Sequence, residues 1–208
     1  MKNFIYILLI APLFIISSCE EEAIHGCLDS QALNYNPEAS LDNNSCEYIE
    51  LGVLAEGGIV FYIDGTGEHG LVAAMEDLDG FYGWGCHPEN VNGADGQAIG
   101  TGYQNTMDIV NQGCVTENGG ITAAQAALDA EVNGYSDWYL PSKEELYEIY
   151  STIGNVGSEG DIGGFSNAHY RSSSEVATAS AWNVSFDNGL AYNSWKNNPV
   201  RVRVIRAF

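Results

Sequence analysis

The sequence predicts an α+β domain. Apolar strand-like runs stand near both ends of its longer part, and capped helical stretches lie between them. Twenty-four glycines and 12 tyrosines among 208 residues mark a loop-rich chain that folds, since aromatics at this density supply a core. The first two runs, Gly58-Ile59-Val60-Phe61-Tyr62-Ile63 and Gly70-Leu71-Val72-Ala73-Ala74-Met75, are joined by residues 64–69 and read as a hairpin. The linker spells GxGxxG from Gly65 to Gly70. That motif needs a helix after it, whereas a strand follows here, so nucleotide binding is rejected.

Three helices are expected next. The first lies near residues 105–112, with Asn105 and Thr106 able to cap it and Gly113 to stop it. Thr122-Ala123-Ala124-Gln125 is a capping box that opens an alanine-rich helix, expected to end at Asn133-Gly134. Ser142 and Glu145 form a second box. Leu146, Ile149, Tyr150 and Ile153 then fall at i, i+3, i+4 and i+7 and give one apolar face, read as core, before Gly154.

Strands return in the last forty or so residues. Trp182, Val184 and Phe186 alternate with Asn183, Ser185 and Asp187, which predicts one buried face and one wet face. Asp187-Asn188-Gly189 turns the chain into residues 190–195, and Lys196-Asn197-Asn198-Pro199 turns it into a strand over residues 200–205. The first and last strands of residues 51–208 are expected to meet in one domain.

The start of the chain is a different matter. Met1-Lys2-Asn3 is followed by an apolar stretch over residues 4–16 and by Ser17-Ser18-Cys19, the pattern of a secretory signal over residues 1–18. The stretch is shorter than the roughly 20 residues a spanning helix needs, and it contains Pro12. Ile16-Ser17-Ser18-Cys19 resembles the lipobox of bacterial lipoproteins, which implies cleavage before Cys19 and lipidation of its thiol and new amino terminus. Several acyl chains on one residue anchor a protein stably to a membrane. Glu20-Glu21-Glu22, in the tether of residues 19–26, resembles the signal that sends some lipoproteins to the outer face of the outer membrane.

With Cys19 assigned to lipid, Cys27, Cys46, Cys86 and Cys114 remain, an even set in an exported chain and therefore a disulfide set. Four cysteines allow three connectivities. A composition break near Ile49 favours Cys27 with Cys46 and Cys86 with Cys114. The first pair closes a module over residues 27–48 that is too short to bury a core of its own. Its pattern, Cys27, Asp29, Ala32-Leu33-Asn34-Tyr35-Asn36-Pro37, Asp42, Ser45-Cys46 and Tyr48, resembles a small repeat found near the ends of exported bacterial surface proteins. Asp29, Asp42, Asn43 and Asn44 offer hard oxygen ligands for Ca2+, and the same residues equally serve as turn formers without metal.

Twenty-eight acidic side chains face seven basic ones, a formal charge of −21. A surface of this sign excludes nucleic acid as a partner, because phosphate recognition needs a basic face. Among the few cations, Arg171, Lys196, Arg201, Arg203 and Arg206 fall near the C-terminal strands, and pairing with the protein's own carboxylates is the reading favoured for them.

Gly134-Tyr135-Ser136-Asp137-Trp138-Tyr139-Leu140-Pro141-Ser142-Lys143-Glu144-Glu145-Leu146 resembles the central signature of the Lcl C-terminal domain family, named from a bacterial collagen-like adhesin. Gly57-Gly58-Ile59-Val60-Phe61-Tyr62, Gly102-Tyr103-Gln104-Asn105-Thr106, Arg171-Ser172-Ser173-Ser174-Glu175, Ala181-Trp182-Asn183-Val184 and Val202-Arg203-Val204-Ile205-Arg206 follow in the family's order, so the resemblance spans nearly all of residues 51–208. It implies a fold related to C-type lectins and to the formylglycine-generating enzyme, with a glycan-binding, adhesive role. The prototype's association with sulfated polysaccharides calls for a basic surface, and this acidic chain departs from it. A neutral glycan or a protein then becomes the better-fitting partner.

Two other function classes compete with binding. An oxidoreductase of the formylglycine-generating kind needs a reactive cysteine pair late in the domain, and no cysteine follows Cys114. His25, His69, His87 and His169 share no metal-ligand spacing, and no nucleophile-elbow pattern occurs, so no catalytic residues are expected. A structural surface module that holds a protein partner is the other alternative. The binding residues expected for a glycan are Asn183, Asp187, Asn188, Asn193, Trp195, Asn197 and Asn198, which place amides and an indole around the final turns.

Overall fold

The computed structural model describes residues 22–208. Cys19 and the signal segment lie outside the described residues. The chain divides into two compact units, one ending at Tyr48 and the other running from Ile49 to Phe208. No helix among the described residues is long and apolar enough to cross a membrane.

In the first unit, β1 (His25–Gly26) and β2 (Leu41–Asp42) pair in parallel. A disulfide joins Cys27 to Cys46 across a Cα separation of 4.9 Å. Cys27 and Ala32 are the buried apolar residues here, so the crosslink carries much of the fixing that a core would otherwise give. Asn34 ties the two ends of the loop, donating to the Ser45 carbonyl and accepting from the Glu47 amide.

The second unit is α+β, as expected. Its first sheet is antiparallel in the order β3 (Leu54–Ala55), β4 (Gly58–Ile63), β5 (Gly70–Ala73) and β9 (Ile205–Ala207), so the last strand joins the same sheet as the first but pairs with β5. β4 is followed by a turn and then by β5, which starts at Gly70 where a nucleotide loop would need a helix. Both faces of this sheet are covered. Val60 and Val72 enter one apolar cluster with Trp84, Ile109, Trp138, Leu140 and the alanines of the second helix. Ile59, Phe61 and Leu71 enter another with Leu146, Ile149, Phe165, Tyr170, Val184 and Phe186. Alternation along a strand sends neighbouring residues to opposite faces, which is why β4 reads as an unbroken apolar run.

The helices differ from expectation in their ends. α1 (Gly102–Asn111) begins three residues before Asn105, and its N-cap, Thr101, makes no side-chain cap bond. Asn105 and Thr106 are buried inside it instead of capping it. Thr106 Oγ1 donates to Gly102 and accepts from the Leu140 amide. Gly102 is required there, because a Cβ would collide with Glu145 Oε2.

α2 (Ala123–Leu128) is capped by Thr122, whose side chain accepts from the Gln125 amide. Gln125 reaches Asp129 rather than back to the cap, and the helix stops well before Asn133. Residues 129–134 are taken up by a bend whose Asn133 has φ 52° and whose Val132 and Tyr135 bridge each other. α3 (Lys143–Thr152) carries the full capping box of Ser142 and Glu145, and Leu146, Ile149 and Ile153 form its buried stripe.

The second sheet is antiparallel in the order β6 (His169–Ala177), β7 (Ser180–Ser185) and β8 (Ala191–Trp195). The expected wet face of β7 is a correction: Asn183 and Ser185 are buried together with Val184 and Phe186. β6 pairs edge to edge with β7, and the chain over residues 198–201 packs beside β6, with Arg171 donating its amide to the Arg201 carbonyl. The continuous strand expected over residues 200–205 is likewise corrected. Val200 and Arg201 make single bridges to Tyr82 and Tyr170, and regular pairing begins only at Ile205.

Candidate functional site

A cleft of about 610 Å3 at the second sheet is lined by several of the predicted binding residues. Sheet geometry explains its make-up. His169 and Arg171 stand two apart on β6, Asn183 on β7 lies opposite Arg171, and Tyr192 on β8 lies opposite Asn183. Residues in register share a face, so these four side chains belong to one surface. Asn198 and Pro199, on the turn after β8, wall it on the far side, and Asn193 and Ser194 complete the rim.

Of the residues expected at a ligand site, Asn183, Asn193 and Asn198 are brought together here. Trp195 lies next door in a smaller cleft that also uses Asn193. Its indole is 59% exposed, and its ring lies 5.8 Å from that of His87. Asn188 reaches the main cleft only through its bond to the Tyr192 hydroxyl at 3.0 Å. Asp187 sits in the β7–β8 turn outside it, with its amide on Ser185 Oγ. Asn197 is held elsewhere by Glu117 Oε1 at 2.7 Å. His169, Tyr192 and Ser194 were missed from sequence. The strand pairing that aligns them with Asn183 is a long-range property, although Tyr192 and Ser194 at i and i+2 carry the period that would put them on one face.

The electrostatics of the region depend on where its cations go. Arg201 and Arg203 both reach Asp77, at 3.2 and 2.8 Å, and Asp77 also accepts from the Tyr170 hydroxyl. Arg206 pairs with Asp137 at 2.8 Å and stacks over Tyr135 at 4.0 Å. The arginine holds the Asp137 carboxyl below its usual range. Lys196 is fully buried on Glu175 and the Glu89 carbonyl, 4.4 Å above the Trp84 ring. Self-pairing thus accounts for four of the five.

Arg171 is the exception. It is 0% exposed and bonds the Asn198 carbonyl through Nη2, while among the described residues Nε and Nη1 have no partner and no carboxylate pairs with it. Burial alone pulls its pKa down. Asn183, 2% exposed, likewise leaves Oδ1 without a partner.

The sequence-predicted calcium ligands serve turns. Asp29 accepts from the Gln31 amide and the Tyr48 hydroxyl, Asp42 from the Asn44 amide, and Asn43 from the amide and hydroxyl of Ser45. These are the local bonds by which Asx residues bend a chain. Among the described residues no three His, Cys, Asp or Glu side chains gather to hold a metal ion. Cys86 and Cys114 are joined to each other, so neither offers a thiolate while the bond stands.

The family model for the Lcl C-terminal domain matches residues 90–206. The chain belongs to the Lcl C-terminal domain family. The match takes in α1 to α3, the second sheet and most of β9, and so the whole cleft. It begins after the β4–β5 hairpin, so Gly57-Gly58-Ile59-Val60-Phe61-Tyr62 falls outside it. The Lcl C-terminal signature around Ser142 corresponds to the α3 cap and to the Tyr139 bridge with Ile205, features that build the core. No curated protein matches this sequence.

Proposed function

We propose that this protein is a non-catalytic, lipid-anchored surface module that binds glycans through the cleft between β6, β7, β8 and the turn at residues 196–199. The fold reading that goes with it is C-type-lectin-like, and the anchor is Cys19, placing the domain on the outer membrane facing outward. The observation that carries the glycan reading is the meeting of Asn183, Asn193 and Asn198 with Tyr192 and His169 in one cleft beside an exposed indole. Amides match sugar hydroxyls, and an exposed aromatic face stacks on the apolar side of a pyranose.

The charge pattern narrows the class. Lys196, Arg201, Arg203 and Arg206 are held by internal carboxylates, and the chain carries −21 overall. A neutral or weakly charged glycan fits this surface better than a sulfated polyanion does. Binding on a glycan array by the full chain, lost at least tenfold in Trp195→Ala with an unchanged melting temperature, is the expected result. An array that stays blank while the same chain captures a defined surface protein would overturn the glycan reading in favour of the structural alternative.

A further inference from the structure

Arg171 is a charge that the fold buries without an answer. Lys196, Arg203 and Arg206 are also buried, and each has a carboxylate. An unpaired buried guanidinium is among the costliest arrangements a core can hold, and such costs persist where function needs them. It lies beneath the lining of the cleft. The residue two before it on β6 (His169), its register partner on β7 (Asn183), and Asn198, which takes Nη2, all line the cleft.

Two nitrogens of the guanidinium and the Asn183 side-chain oxygen are the unsatisfied polar atoms of this face. Asn198 on the cleft wall is exposed, and its side-chain amide is held by a long 3.5 Å contact to Ser194 Oγ. Arg171 is 0% exposed and its Nη2 is taken by the Asn198 backbone carbonyl, so a ligand group reaches the guanidinium when the turn at Asn198 moves aside.

We infer that Arg171 is an anion-recognition residue, and that the glycan bound in this cleft carries a carboxylate, as a uronic acid does. This rests on the glycan reading above. The carboxylate supplies the counter-charge Arg171 lacks, and the Asn183 amide, turned about its terminal bond, can present its NH2 to the same group. A single carboxylate suits one isolated cation in an otherwise acidic domain; a densely sulfated chain does not. Among groups of that charge, the planar guanidinium is matched in shape by a carboxylate.

The test compares each acidic ligand with its own neutral ester. The full chain is titrated with oligogalacturonates, oligoglucuronates and oligomannuronates of three units and with their methyl esters, alongside neutral cello-, chito- and manno-oligosaccharides. At least one acid is expected to bind tenfold or more tighter than its ester, with the preference abolished in Arg171→Gln and partly kept in Arg171→Lys. Acid and ester bound equally, or binding confined to the neutral sugars, would overturn the role of Arg171 and leave the glycan reading standing. No binding to any of these sugars, joined to a blank glycan array, overturns the glycan reading itself. The acid-to-ester comparison is made on the unmutated chain, so an Arg171 variant that fails to fold does not remove the test.

Discussion

Glu145 does three jobs with one carboxylate. It closes the capping box of α3 by accepting from the Ser142 amide at 2.6 Å, and it accepts from the Gly100 amide at 2.8 Å, which fixes the chain just ahead of α1. It also stands where only a glycine at position 102 leaves it room. Its burial raises the pKa above the ordinary 4.5, against the lowering effect of those hydrogen bonds. The folded state therefore holds the Glu145 proton more tightly than the unfolded chain does. Stability from this titration is full below the unfolded pKa near 4.5 and declines as the pH climbs through the folded value. Glu145→Ala is expected to cost about 1 kcal/mol through the lost cap. Urea denaturation at several pH values checks both parts: the wild-type advantage over the variant should shrink from pH 4 to pH 7, and growth across that range would contradict the assignment.

At the level of elements, sequence periodicity and caps served well where local chemistry decides. The α3 box and its buried stripe, the β4–β5 hairpin and the turn at Asn188 all stand where side-chain spacing put them. The failures are tertiary. Asn183 and Ser185 look like a wet face because their polarity is local information, while the β6 and 198–201 segments beside them arrive from elsewhere in the chain. The strand expected over residues 200–205 is interrupted because Arg201 and Arg203 turn to Asp77, a residue more than a hundred positions earlier. At the candidate site the asparagines were legible and their partners were not, since His169 joins Asn183 only through the pairing of β6 with β7. The turn after β8 depends on Lys196, which pins it to β6 through Glu175. Lys196→Met should destabilise the domain by about 3 kcal/mol by leaving Glu175 buried and unpaired. Thermal denaturation should show Glu175→Gln combined with Lys196→Met recovering part of that loss, and an additive double variant would refute the pairing.

Over the whole molecule, residues up to Tyr48 and those from Ile49 onward are separate units, each with its own disulfide. Lipidation at Cys19 would leave the second unit at the end of a tether and a small module. Cys19→Ala is expected to shift the protein from the membrane fraction to the soluble exported fraction. Unchanged fractionation would remove the anchor. The two apolar clusters share the β4–β5 sheet as a common wall, so the second unit's core does not divide into halves able to melt separately. β8 stands apart from that core. Ala191, Tyr192, Asn193 and Trp195 are exposed along it, and it meets the rest of the domain chiefly through its backbone ladder with β7. Its side chains can therefore be exchanged over evolution at little cost to folding, and the surface that meets the ligand is also the part of the domain freest to acquire a different one.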